Sequence, residues 1–130
     1  MKLYHFLAAV ACLLFMSSST MKMPVCGSGE HELVNNASCD LKYYAAIVDI
    51  SDPCGSHYTL SGTVTGSGGS VCIVPGTGEM VIKIAVIDNN NDQLWVGDTQ
   101  CAGMQDDDAG TLCGVSSTMT WDSAILTTVN

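Results

Sequence analysis

Six cysteines constrain this chain more than any other feature: Cys26, Cys39, Cys54, Cys72, Cys101 and Cys113 are separated by 12, 14, 17, 28 and 11 residues. Paired zinc ligands usually stand roughly two to four residues apart, and no two of these six do. An even set without a close pair reads instead as a framework of about three disulfides formed in an oxidising compartment. Each bridge contributes roughly 2–4 kcal/mol, mostly by restricting the unfolded chain. Spacing alone does not choose among the pairings of six cysteines; a local Cys101–Cys113 bridge is the expected one.

A seventh cysteine, Cys12, lies in the apolar run Leu3 to Met16, which follows Lys2 and leads into Ser17, Ser18 and Ser19. A positive start, a short apolar centre and small polar residues make up a secretory signal, with cleavage near Ser19. The run is shorter than the roughly 20 residues needed to span a bilayer, and no later stretch matches it, so no membrane span is expected. The expected organisation is a signal peptide over 1–19 and a single secreted, extracellular, cysteine-rich β domain over 20–130.

Charge narrows the partners. Thirteen acidic residues face four basic ones, for a net charge of −9. Such a surface repels phosphate backbones and anionic lipid, which excludes nucleic-acid binding and polybasic membrane attachment and leaves basic partners or cations compatible.

Strand signals recur along the chain. Tyr43 to Ile50 is apolar on both faces, as in a buried strand, and Ser51-Asp52-Pro53-Cys54-Gly55 ends it with turn residues. Tyr58, Leu60, Gly62 and Val64 alternate with Thr59, Ser61, Thr63 and Thr65, a half-buried strand with a hydroxyl face. Gly66 to Ser70 reads as a turn that joins a hairpin to the short strand Val71 to Val74. From Glu79 to Asp88, Met80, Ile82, Ile84 and Val86 share one face and Val81, Lys83, Ala85 and Ile87 the other. Gln93 to Asp98 and Ser117 to Val129 add further strands, with Trp95 and Trp121 as core anchors. Thr20 to Asp40 has no period and reads as an extended, stapled arm. No segment carries a helical period, so the expected fold is all-β, a small antiparallel β-sandwich or barrel.

Catalytic signatures are sparse. His31 and His57 follow the leader; Glu30-His31-Glu32 lacks the second histidine of a His-Glu-x-x-His helix because Asn35 holds that position. There is no Gly-x-Ser-x-Gly elbow. Glu79, Asp49 and Asp122 are formally available as a glycosidase pair. A nucleophilic thiol would leave an odd cysteine behind. Asn36-Ala37-Ser38 is an N-glycosylation sequon, meaningful in a eukaryotic source and requiring a surface position for Asn36.

Two acidic clusters are the candidate metal ligands: Asp88, Asn90 and Asp92 in the first, and Asp106, Asp107 and Asp108 in the second. If their loops converge they offer the hard oxygens that Ca2+ takes. The stretch Ile84 to Asp92 followed by Trp95-Val96-Gly97 resembles the calcium-loop strand of C2 domains over about a tenth of the chain, with asparagines where that family's pattern has acidic ligands. Tyr43, Tyr44, Tyr58, Trp95 and Trp121 are candidates for sugar or apolar-ligand contacts, although such residues in a small sandwich mostly pack across strands.

The expected function is a secreted, disulfide-stabilised, non-catalytic binding protein whose partner is an extracellular protein or glycan. No cofactor is required, Ca2+ being the one candidate. In build it is similar to the small secreted cysteine-rich proteins that many microbes deploy as effectors, which implies an interaction partner. The alternatives are an extracellular calcium-dependent or lipid-binding β-sandwich module and a small secreted hydrolase with an unrecognised site.

Overall fold

The computed structural model describes residues 26–97, 103 and 105–130; the signal segment 1–19, Thr20 and Cys101 lie outside the described residues. Nine strands form among them: β1 His31–Asn35, β2 Leu41–Asp49, β3 Tyr58–Val64, β4 Gly69–Ile73, β5 Glu79–Ile87, β6 Gln93–Gly97, β7 Asp107–Leu112, β8 Val115–Ser123 and β9 Leu126–Val129. Two sheets result, ordered β4-β1-β9-β8-β7 and β3-β2-β5-β6. Every pairing is antiparallel except β1 with β9. The all-β sandwich expected from the sequence is the fold observed.

Alternation along each strand builds the core. Leu41, Tyr43, Ala45 and Ile47 of β2 point inward with Ile84, Val86, Leu94 and Val96, and meet Leu33, Ile73, Leu112, Met119, Trp121 and Val129 of the facing sheet. Burying each Leu or Ile contributes about 1.5–3 kcal/mol relative to exposure. At one side the sheets are tied together: Gly97 and Gln105 exchange backbone hydrogen bonds of 3.0 Å. The Asp108 carboxylate accepts the Trp95 N–H at 2.9 Å, and the Gln105 amide donates to the Trp95 carbonyl at 2.8 Å. The outward polar groups of edge strand β6 are therefore capped rather than left as a template for another chain.

Five local expectations are corrected. The arm from Thr20 to Asp40 contains β1, which is an interior strand of its sheet with Leu33 fully buried, because β4 and β9 supply partners on both sides. The Gly66–Ser70 stretch does not close a hairpin; it carries the chain from β3 to β4 in the opposite sheet. Its backbone is held by Ser67 N–H to Ala37 O (2.7 Å) and Gly68 N–H to Asn35 O (2.8 Å). A side chain at Gly66 would bring its Cβ to 2.7 Å from the Cys39 carbonyl, so the approach requires glycine.

In β5 the pairing slips between Lys83, opposite Ala46, and Val81, opposite Ile47. Ile82 is the extra residue of a β-bulge, and the bulge reverses the facing of what precedes it. Val81, not Ile82, joins Ile84 and Val86 in the core cluster.

The Asp106–Asp108 segment is no free loop either, since Asp107 opens β7. β7 ends in a two-residue turn at Cys113 and Gly114, whose φ values of 56° and 78° match the twist-compatible type I′ geometry.

Cys113 pairs with Cys39 and not with Cys101 (Cα–Cα 5.8 Å), and Cys26 pairs with Cys72 (5.5 Å). The hairpin tip carries Cys113 the whole length of β7 away from Gln105, about 20 Å at the rise of a strand, and sets it against the β1–β2 connection. Cys54 is also disulfide-bonded.

Candidate functional site

The two acidic clusters lie at opposite ends of β7. Asp88, 5% exposed, closes the β5–β6 turn: its Oδ1 accepts the N–H of Asn90 (2.8 Å) and of Asp92 (3.0 Å), and its Oδ2 accepts the Cys113 N–H at 2.7 Å. Burial opposes its charge, but these backbone donors together outweigh burial and hold the carboxyl below the usual carboxylate range. Asn91 takes a left-handed φ of 66°, as the tight turn demands. At the far end of β7, Asp106 and Asp107 are exposed while Asp108 caps Trp95. Six residues of strand, about 20 Å, therefore separate Cys113 beside Asp88 from Asp107.

Among the described residues, the trio whose ligand atoms all lie within 4.8 Å of one another is Cys26, Glu30 and Cys72. Both of its sulfurs are already joined in a disulfide. With Asp88 serving backbone donors, calcium and chelator should give the same melting temperature. Asp88→Ala should lower stability by roughly 1–3 kcal/mol, because it strands three N–H groups around the turn. Thermal melts of both proteins in calcium and in chelator check this; a calcium-selective rise lost in the variant would overturn it.

The histidines separate cleanly. His57 is exposed, whereas His31 is 1% exposed beneath Trp121, their rings 4.7 Å apart. The His31 Nδ1–H donates to the Ala124 carbonyl at 3.1 Å and Nε2 accepts the Thr127 hydroxyl at 2.8 Å, which sets the neutral tautomer. Burial pushes its pKa down to about 4, against a smaller upward pull from the Ala124 bond. A hydroxyl beside an imidazole resembles a nucleophile and its base, but Thr127 is fully buried and no substrate reaches it. The Trp121 indole N–H is buried without a partner among the described residues, at a cost of roughly 1–3 kcal/mol.

Of the three carboxylates available to a glycosidase, the register brings two together: Asp49 stands opposite Glu79. The Ser51 hydroxyl and N–H hold Asp49 below the usual range, the wrong direction for a proton donor. Glu79 accepts the Tyr58 hydroxyl (2.5 Å) and the Gly76 N–H (2.7 Å) on one oxygen, which raises the Tyr58 pKa. Glu79 also lines an open groove of about 310 Å³ with Ile50, Val74 and Pro75. Asp122 lies on β8 of the other sheet. Asn36 is exposed at the end of β1, its amide donating to Asn130 at 2.9 Å.

The outer face of the four-stranded sheet is chemically unlike the rest of the molecule. Paired residues share a face, so the register sets Ser61, Tyr44, Ala85 and Trp95 in one row across β3, β2, β5 and β6. The row on one side holds Thr63, Lys42, Ile87 and Gln93; the row on the other holds Thr59, Ala46, Lys83 and Gly97. No carboxylate stands in these rows, although the chain carries thirteen. Lys42 and Lys83, the two lysines among the described residues, are both here. Tyr44 is 42% exposed and Trp95 half-buried, with the Lys83 ammonium 4.0 Å from the Trp95 ring centroid. Tyr44 and Trp95 were candidates from sequence; the lysines and the hydroxyls of β3 were not. Their alternation with buried residues marks which way they point, but only cross-strand register gathers them.

Fold and face define a disulfide-stapled, two-sheet β-sandwich whose four-stranded sheet carries, on its outer face, aromatic and lysine-bearing rows without a carboxylate. No family model, curated protein or solved structure matches the chain.

Proposed function

We propose that this chain is a secreted, non-catalytic binding module that engages an extracellular partner through the outer face of its four-stranded sheet. The observation that carries the reading is the segregation of charge and aromatics: both described lysines and the exposed Tyr44 share three cross-strand rows in which no acid stands. A face that served only to be solvated would carry the acid-rich mixture of the rest of the molecule. Secretion is supported by the disulfides, which persist in oxidising compartments. No helix among the described residues is long and apolar enough to cross a membrane. The paired strands of the sheet hold these side chains in fixed register on one face, and such pre-organisation suits recognition.

The test is a panel of immobilised extracellular glycans and proteins, probed with the secreted protein and with Tyr44→Ala/Trp95→Ala. These side chains stand on the outer face, so the variant keeps its inner core. Any ligand found should be lost by about tenfold or more in affinity in the variant, the equivalent of roughly 1.4 kcal/mol. A ligand bound equally by both proteins would place the binding surface elsewhere and sink the reading.

A further inference from the structure

We propose that the partner of this face is an acidic glycan, a polysaccharide bearing carboxylate or sulfate groups; the inference rests on the binding-module reading above. Three features converge on it. Tyr44 and Trp95 stand two strands apart in one row with only the methyl of Ala85 between them, about 10 Å from strand to strand. The C–H faces of sugar rings carry partial positive charge and pack on the negative face of an aromatic ring, so the two aromatics offer stacking positions to separate sugars of one chain. Thr59, Ser61 and Thr63 line the adjoining edge strand, all exposed, with hydroxyls that both donate to and accept from sugar hydroxyls.

The lysines select the charge. Lys42 lies on the same strand and face as Tyr44, two residues away and hence about 7 Å along it; Lys83 flanks the row on the opposite side, its ammonium resting on Trp95. An ammonium stacked on an aromatic ring keeps its donors for an incoming anion, and an anion placed on these rows meets two cations that share them with no carboxylate. The net charge of −9 does not cancel this attraction at contact. The acids nearest the face, Asp40 before β2 and Asp108 on β7, are engaged by the Gly66 and Trp95 N–H groups, and at physiological ionic strength screening weakens the effect of charges farther than about 8 Å away. A basic protein partner, which the overall charge would favour, is repelled by the two lysines.

Affinity electrophoresis of the secreted protein tests this, using polygalacturonate, alginate and chondroitin sulfate as acidic probes. A neutral β-glucan supplies sugar rings without charge, and polyglutamate supplies charge without rings. Retardation by at least one acidic glycan is expected, weakened roughly tenfold in Tyr44→Ala and again in Lys42→Gln/Lys83→Gln, restored in Lys42→Arg/Lys83→Arg, and reduced by raised salt. Melting curves of the variants should overlay the parent's, since these side chains lie outside the core. Failure of all three acidic probes, equal retardation by polyglutamate, or binding of the neutral glucan that ignores the lysine variants would each overturn the acidic-glycan assignment. The neutral-glucan result, if still lost in Tyr44→Ala, overturns the assignment while leaving the face as the binding surface. Acidic-glycan binding that survives every variant overturns both.

Discussion

Removing the Cys39–Cys113 bridge is expected to lower the unfolding free energy by about 4 kcal/mol. The bridge joins positions 74 residues apart. Loop-closure entropy for a link of that span is worth roughly 4 kcal/mol, taken from the unfolded chain. Against a total stability of about 5–15 kcal/mol for a domain, little margin remains. The native side contributes too: Cys39 and Cys113 pack against the core, where the β1–β2 connection passes from one sheet to the other. The Cys39→Ala/Cys113→Ala variant keeps the Cys113 N–H that Asp88 accepts, so the turn hydrogen bond is not removed along with the bridge. Urea unfolding should show the midpoint falling by about 2 M for a chain of this size. A shift below a tenth of that would mean the unfolded chain is already as restricted without the link.

Acidification should cost the domain roughly 3 kcal/mol between neutral pH and pH 4, through His31 alone. An exposed histidine in the unfolded chain takes up a proton near its ordinary 6.5, while the folded protein resists doing so until about 4. Between those values the unfolded state binds more protons, so stability falls as the pH drops through this window and is fully present above it. Each unit of separation is worth about 1.4 kcal/mol. Asp88 acts in a different window. Its carboxyl is held below 3.8, so its contribution is present above that value and disappears only as the pH falls further. Urea midpoints for the parent and for His31→Gln at pH 7, 5.5 and 4.5 separate the two groups. The variant will be less stable at pH 7, having lost its packing under Trp121, but its stability should change far less across the window. Parallel pH profiles would rule out His31 as the group responsible.

These two effects sit where the chain was least legible. The fold class could be read because alternation and turn chemistry are local: in Tyr58 to Val64 the wet positions Thr59, Ser61 and Thr63 are exposed and Val64 is buried as the alternation requires, while Leu60 and Gly62 are half-buried and Tyr58, at the strand's start, is exposed. Parity and spacing of the cysteines likewise marked a disulfide framework. What alternation cannot carry is partnership. Nothing within His31–Asn35 announces that β1 will lie between β4 and β9, because both partners are remote in the chain and the pairing energy exists only once they meet. The same holds for Cys39 and Cys113, which share a bridge because a type I′ turn carries Cys113 to the far end of β7.

Facing itself was legible up to the first bulge. In β5 one extra residue at Ile82 moved Val81 into the core, since a period of two has no memory across an insertion. The outer sheet face shows the division most plainly. That Lys42 and Tyr44 share a side, or Lys83 and Ala85, follows from the sequence by parity, and so does the scarcity of positive charge that makes two lysines on one surface informative. That these pairs stand beside one another, with Trp95 completing the row and every carboxylate elsewhere, was decided by the register of β2 on β5 and of β5 on β6. Strand periodicity is a property of neighbouring residues, whereas a binding surface is made by residues that the fold alone brings within reach.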